Sequence, residues 1–360
     1  MKRLFLNVAF RLFAVLVLVG CDVHQWPELR DEPDPVPTPD VPRATIALRL
    51  EYETDLYLWE HLYDPVLARA EEVNPTLDLF PGYPGTSYRY SNLITNGQVQ
   101  VFVKVFPTST PSLCVAEKTF ISDINGPYDD DIEMEVPSEG TYNIIVWSQF
   151  AESAESAPYY DPSSFSRVHI IDENYNGNTD YRDGFRGQLL VDMTVDANSK
   201  HVIRMKRPMG KFELVTTDLS EFLDRETDVR RLPTRASVSD YRSVITFSMY
   251  YPSSYSAIDD RLENASVGVG FETTMTVTGE SEASLGFEYV LLNDIPDGGV
   301  QARVDVYRLD GTRVAGSATF TIPMRRNHHT LLRGAFLSME GGGGVGIDPG
   351  FNGDHNITWN

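Results

Sequence analysis

From Ala44 onward the chain alternates apolar and polar residues. In "TIALRLEY", Ile46, Leu48, Leu50 and Tyr52 alternate with Ala47, Arg49 and Glu51, the pattern of a half-buried strand. "VQVFVKV" puts Val99, Val101, Val103 and Val105 on one face, and "YNIIVW" does the same for Tyr142, Ile144 and Val146. Further strands are predicted at "GKFELVT" (Gly210 to Thr216), "ITFSMYY" (Ile245 to Tyr251), "VGVGF" (Val267 to Phe271), "GFEYVLL" (Gly286 to Leu292) and "VQARVDVY" (Val300 to Tyr307). Asp310-Gly311 is a two-residue hairpin signal, and Pro, Gly and Asn clusters separate the runs. One helix is predicted at "TTDLSEFLDRE", where Asp218 and Glu221 have capping-box spacing and Leu219, Phe222 and Leu223 share a face. The pattern gives an all-β chain of two antiparallel sandwiches, residues 44–207 and 208–360, each sheet burying one face.

Upstream the pattern differs. Lys2, Arg3 and Arg11 precede any acid, and an apolar core runs from Leu12 to Val19, as in an export signal. Eight residues span roughly 12 Å as a helix, against ~30 Å of bilayer core, too short to cross. Leu18-Val19-Gly20-Cys21 fits the bacterial lipobox, in which the thiol of the cysteine is acylated and the signal is cut away. Residues 1–20 are therefore read as a lipoprotein signal and Cys21 as the lipidated first residue of the mature chain. Residues 21–43 follow as a tether, with six prolines between Asp22 and Arg43 and no hydrophobic periodicity. Extended, it reaches roughly 70 Å.

Composition narrows the function classes. The chain has two cysteines, and lipidation of Cys21 leaves Cys114 without a disulfide partner. Stability then rests on buried cores, for which about 340 mature residues are ample. The 30 basic and 52 acidic residues include three basic ones in the signal, leaving 27 against 52, a net charge of −25. Such a surface repels phosphate backbones, which excludes nucleic acid as a partner.

Several stretches together resemble one family, the fimbrillin-type lipoproteins of Bacteroidetes, and within it the anchor and accessory subunits of type V fimbriae. They are the lipobox with its proline-rich leader, "EGTYNIIVWSQF", "YRDGFRG", "RPMGKFEL" and the ending "IPMRRNHHTLLRGAFLSMEGGGGVGIDPGFNGDHNITW". The resemblance implies two transthyretin-like β-sandwich domains, outer-membrane attachment through a lipid at the cell surface, and docking or capping of a fimbrial shaft. In polymerising subunits of that family an N-terminal strand is removed at an arginine. Here Arg43 is the only arginine at the start of the first strand, and a cut there would free the body from Cys21, which favours an anchor over a shaft subunit.

Catalytic chemistry is thin. The chain has no G-x-S-x-G elbow, no H-E-x-x-H, no phosphate loop and no dinucleotide fingerprint, so neither an enzyme nor a cofactor is expected. His328 and His329 are adjacent, and adjacent strand residues point to opposite faces. Asp129-Asp130-Asp131 reads as a solvated loop. In "DENYNGNTDYRD", Asp172, Asn174, Asn176, Gly177, Asp180 and Asp183 have the spacing of a calcium loop. The closing aspartate, the two asparagines and the strand-like "VHII" before it favour a plain inter-strand loop instead.

Two function classes follow. One is a structural subunit docking fimbrial subunits by strand contacts. Its candidate strand is the tail after Gly341 to Gly344, where Ile357 and Trp359 share a strand face. Fold-back of that tail onto its own sandwich is the competing outcome, favoured by effective concentration. The other class is a surface lipoprotein that stacks glycans on loop aromatics such as Tyr159, Tyr160 and Phe165.

Overall fold

The first alternating stretch forms strand β1 (Arg43–Tyr52), whose inward Ile46, Leu48 and Leu50 are buried as the pattern requires. The structure is a computed structural model and describes residues 41–63, 89–91, 94, 96–123, 131–153, 155–171, 177–294 and 299–338. Next come β2 (Asp55–Tyr63), β3 (Arg89–Ser91), β4 (Gln98–Pro107) and β5 (Ala116–Asp123). They are followed by β6 (Ile132–Pro137), β7 (Thr141–Ala151), β8 (Tyr160–Asp161), β9 (Val168–Ile170), β10 (Gly184–Asp192) and β11 (Lys200–Met205).

Beyond residue 207 lie β12 (Met209–Thr216), the helix α1 (Leu219–Arg230), β13 (Tyr241–Phe247), β14 (Tyr251–Ser256), β15 (Arg261–Ser266) and β16 (Gly270–Thr274). The described part closes with β17 (Thr276–Val277), β18 (Ala283–Leu291), β19 (Val300–Arg308), β20 (Arg313–Gly316), β21 (Phe320–Ile322) and β22 (His328–Gly334). None of the described helices is long and apolar enough to cross a membrane.

The strands build two sandwiches and a side sheet. Sheet β11-β1-β6 packs on sheet β10-β7-β4-β5 around a core that includes Leu48, Val103, Ile144 and Phe185. The larger core, with Phe212, Phe247, Tyr289 and Val304, lies between sheet β17-β18-β12-β22-β2-β3 and the sheet of β16, β13, β19 and β20. A smaller sheet, β15-β14-β9-β8, joins segments from both sides of residue 207, and β2 also joins a sheet made mostly of later strands.

Most ladders are antiparallel, as expected. Three are parallel: β1 with β11, β12 with β22, and β2 with β22. Local pattern cannot announce these, because strand direction is set by which distant segments meet. β7 also exceeds its expectation. Ile144 and Val146 enter the smaller core, while Ile145 and Trp147 on the other face are equally buried in the larger one.

Other differences are local. "ITFSMYY" breaks after Phe247 so that the chain can leave one sheet and enter another as β14. In "VGVGF" only the end is strand, and Val267 is exposed in the connection to β16. The hairpin at Asp310-Gly311 forms between β19 and β20, with Gly311 in the left-handed region at φ +89. Helix α1 forms where predicted, but without the capping box. The Asp218 carboxylate makes no bond to its own helix and accepts from the Leu337 and Ser338 amides instead.

Candidate functional site

β5 pairs only with β4, and β6 only with β1, among the described residues, so each leaves one edge of its sheet open. Between these edges runs a groove of about 520 Å³, lined by Arg43 and Thr45 of β1, Ala116, Glu117 and Lys118 of β5, and Glu133, Met134 and Glu135 of β6. Lys118 Nζ donates to the Glu133 carbonyl at 2.6 Å and spans the gap from one edge to the other. Arg43 reaches the Glu135 carbonyl at 3.4 Å. An edge main-chain carbonyl that accepts from a lysine head is one a visiting strand could claim, and an edge lysine is a common guard against unwanted pairing. Further along β5, Phe120 and Ile121 are 37% and 56% exposed, an apolar pair on an otherwise polar edge.

The calcium-spaced loop has other duties where it is described. Asp172, Asn174 and Asn176 lie outside the described residues. Asp183 is fully buried, with both oxygens 2.8 and 2.9 Å from Arg207 Nε, and it also accepts from the Gly184 amide. Asp180 accepts from Lys211 Nζ at 2.8 Å and from the Tyr289 hydroxyl at 2.6 Å. Gly177 sits where a Cβ would lie 2.3 Å from the Phe271 ring, so close packing rather than ligand geometry demands the glycine. Asn178 bonds the β18 backbone at Phe287 through both its amide and its side chain. Among the described residues no group of three or more His, Cys, Asp or Glu side chains could hold a metal ion.

Loop aromatics proposed for glycan stacking are in fact core residues. Tyr159, Tyr160 and Phe165 are all buried. Tyr160 donates to the Arg182 carbonyl at 2.7 Å and packs edge-on against Trp147, with ring centroids 5.7 Å apart. Burial raises the pKa of its hydroxyl, which stays protonated as a donor. Enough apolar surface is removed from water here to outweigh any pull toward a surface platform.

A second feature escaped the sequence: a buried ionic cluster between the two cores. Arg182, in the 3-10 turn Asp180–Arg182, places Nε 2.8 Å from Glu288 Oε1, and both side chains are fully buried. Arg207 is similarly enclosed. It stacks over Phe185 at 4.6 Å and donates to the carbonyls of Glu53, Thr54 and Asp55 and to Asn327 Oδ1. Charges so enclosed persist only when paired, as Arg182 is with Glu288 and Arg207 with Asp183, which marks the cluster as architecture. The available signal was the density of Asp and Arg in "TDYRDGFRG", without the partners that define it.

His328 stacks on Tyr57 with centroids 5.2 Å apart, and His329 Nε2 lies 3.4 Å from Glu213. Asp131 of the acidic run pairs with Lys200 at 2.7 Å. Cys21, Ile357 and Trp359 lie outside the described residues.

Comparison with known proteins gives a family and several distant structures. A model of a family of unknown function, DUF6562, matches residues 68–360. No curated protein matches the chain. A solved protein assigned to cell adhesion from Bacteroides eggerthii is 11% identical, with 84% of this chain and 89% of that chain covered and a TM-score of 0.42. One assigned to polysaccharide binding from Bacteroides thetaiotaomicron is 12% identical over 76% of this chain and 80% of its own, at a TM-score of 0.40. The fimbrial anchor protein Mfa2 from Porphyromonas gingivalis is 10% identical over 76% and 82%, at a TM-score of 0.37.

Proposed function

This chain belongs to the DUF6562 family, and we propose that it is a non-enzymatic, lipid-anchored outer-membrane adhesion protein, a fimbrial anchor or accessory subunit that docks fimbrial subunits through β-strand contacts. The observation that carries this reading is the pair of open sheet edges, β5 and β6, facing each other across one groove. An extended segment laid there gains main-chain hydrogen bonds from either side, the mode by which sheets recruit peptide partners. The lipobox at Cys21 and the tether over 21–43 supply the attachment. The tail bearing Ile357 and Trp359 supplies a strand of its own for exchange with a neighbouring subunit. Burial of Tyr159, Tyr160 and Phe165 keeps these three rings from serving as a stacking platform for a glycan.

Pull-down from outer-membrane extracts tests the reading. The wild-type protein should recover fimbrial subunits. Phe120→Lys with Ile121→Lys changes two side chains that are already exposed, so the fold should tolerate both while recovery falls. Deleting residues 347–360 should likewise abolish recovery with monomer stability nearly unchanged. Unchanged recovery in both variants would remove strand docking as the mechanism, and a large loss of monomer stability on tail deletion would assign the tail to its own core.

A further inference from the structure

The strand that closes the described chain, β22, is held on both edges by strands running its own way. β2 pairs with it in parallel from Tyr57↔His328 to Tyr63↔Gly334. β12 pairs with it in parallel from Lys211↔His329 to Thr216↔Gly334. β2 belongs to the start of the body, separated from β1 only by Glu53 and Thr54. β1 is itself parallel to β11 from Ala47↔Lys200 to Tyr52↔Met205. β2, the second strand of the body, and β22, its last described strand, therefore lie side by side and point in the same direction.

That arrangement has a mechanical meaning. Tension between the chain ends pulls β2 toward its N-terminal end and β22 toward its C-terminal end, in opposite senses along one axis. Bonds in a parallel ladder are evenly spaced, so such a pull strains all of them together. A pull across the ladder would break them one pair at a time. Each bond is modest by itself, so how the load is shared decides the resistance.

Each end of the trio also carries a buried charged stop. At the N-terminal end Arg207 grips the carbonyls of Glu53, Thr54 and Asp55, where β2 begins, and the side chain of Asn327, where β22 begins. At the C-terminal end the buried Asp218 accepts from the Leu337 and Ser338 amides and from the Thr216 hydroxyl. Arg225, on the same helix, donates to the Leu337 carbonyl at 2.8 Å, and Phe336 and Leu337 are fully buried. Asp218 leaves its own helix uncapped to do this, and a broken local rule is expected where a residue has another task.

We propose that β12, β22 and β2 form a shear clamp, stopped by Arg207 at one end and by Asp218 with Arg225 at the other, which keeps the body folded when tension is applied between its chain ends. The inference goes beyond the docking reading and holds whatever partner supplies the tension.

Single-molecule pulling of the mature full-length chain tests it. Attached by its two chain ends, the protein loads β22 in shear. Attached by Asn360 and by a handle at the exposed Thr217, next to the end of β12, it peels β22 from the C-terminal ends of two parallel strands. The rupture force should be at least twofold higher end to end, and the first end-to-end event should release the body in one step. Equal forces in the two geometries, or a small early step in the end-to-end trace that frees β22 alone, would overturn the clamp.

Discussion

Replacing Arg207 with methionine keeps most of the side-chain volume and removes the charge. Asp183 is then left fully buried with only the Gly184 amide of the partners described above, and the carbonyls of Glu53, Thr54 and Asp55 lose a shared donor. Breaking a buried ion pair from one side costs about 3–5 kcal/mol, most of it the desolvation of the charge left behind. For a body of about 300 residues that corresponds to a melting shift of about 5–8 °C. Urea unfolding followed by the fluorescence of Trp147, which sits in the larger core, reads the change. Asp183→Asn alone should also destabilise the protein. The double variant should cost less than the two singles added, by about 1–3 kcal/mol, because neither strands a charge once both are gone. An Arg207→Met protein within about 1 kcal/mol of wild type, or strictly additive losses, would refute the assignment of the pair as a structural clamp.

Three further outcomes follow from the sequence and the fold. Cys21→Ala should leave the membrane fraction after a carbonate wash, since each acyl CH₂ it would have buried contributes ~0.8 kcal/mol; retention would remove the lipid anchor. Calcium added to chelator-treated protein should barely move the melting temperature, because Asp180 and Asp183 are already bonded to Lys211, Tyr289 and Arg207. A saturated site at a hundredfold excess over its dissociation constant would add about 2.7 kcal/mol, so a shift of several degrees with calcium and not magnesium would contradict this. Burial holds His328 and His329 below the usual imidazole range. Their unfolded forms take up protons first, so this contribution to stability is complete above about pH 6.5, is lost as pH falls toward the folded values, and changes no further below them. Replacing both with glutamine should flatten the melting-temperature slope in that window relative to wild type.

Strands with strict alternation were legible in the sequence. Val99, Val101, Val103 and Val105 of β4 are all buried as their spacing requires. Helix α1 and the Asp310-Gly311 hairpin were legible for the same reason, since local geometry alone specifies them. What the sequence withheld is what depends on distant partners. Nothing in "HHTLLRG" says that its strand runs parallel to two others, or that Asp218 will serve Leu337 rather than its own helix. The calcium-like spacing was already outweighed in the sequence by the closing aspartate and the two asparagines, because Asp, Asn and Gly also satisfy turns and close contacts; Gly177 indeed faces Phe271. Aromatics in "PYYDPSSF" misled through their polar neighbours, which form a turn over a buried trio. The open edges of β5 and β6 could not be foreseen, because an edge is defined by the strand that is missing.

β7 lends one side to each core, Ile144 and Val146 to the smaller and Ile145 and Trp147 to the larger. Two compartments with a common wall cannot settle independently. Enlarging a side chain at Ile145 presses the backbone that also carries Ile144, and a cavity cut at Val146 loosens the strand that positions Trp147. The halves should therefore melt as one event, and cutting the chain near residue 207 should give two fragments that each expose half of β7's surroundings rather than two independent modules. A partner seated at the β5 edge, two strands from that wall, is therefore coupled through β4 and β7 to both cores at once.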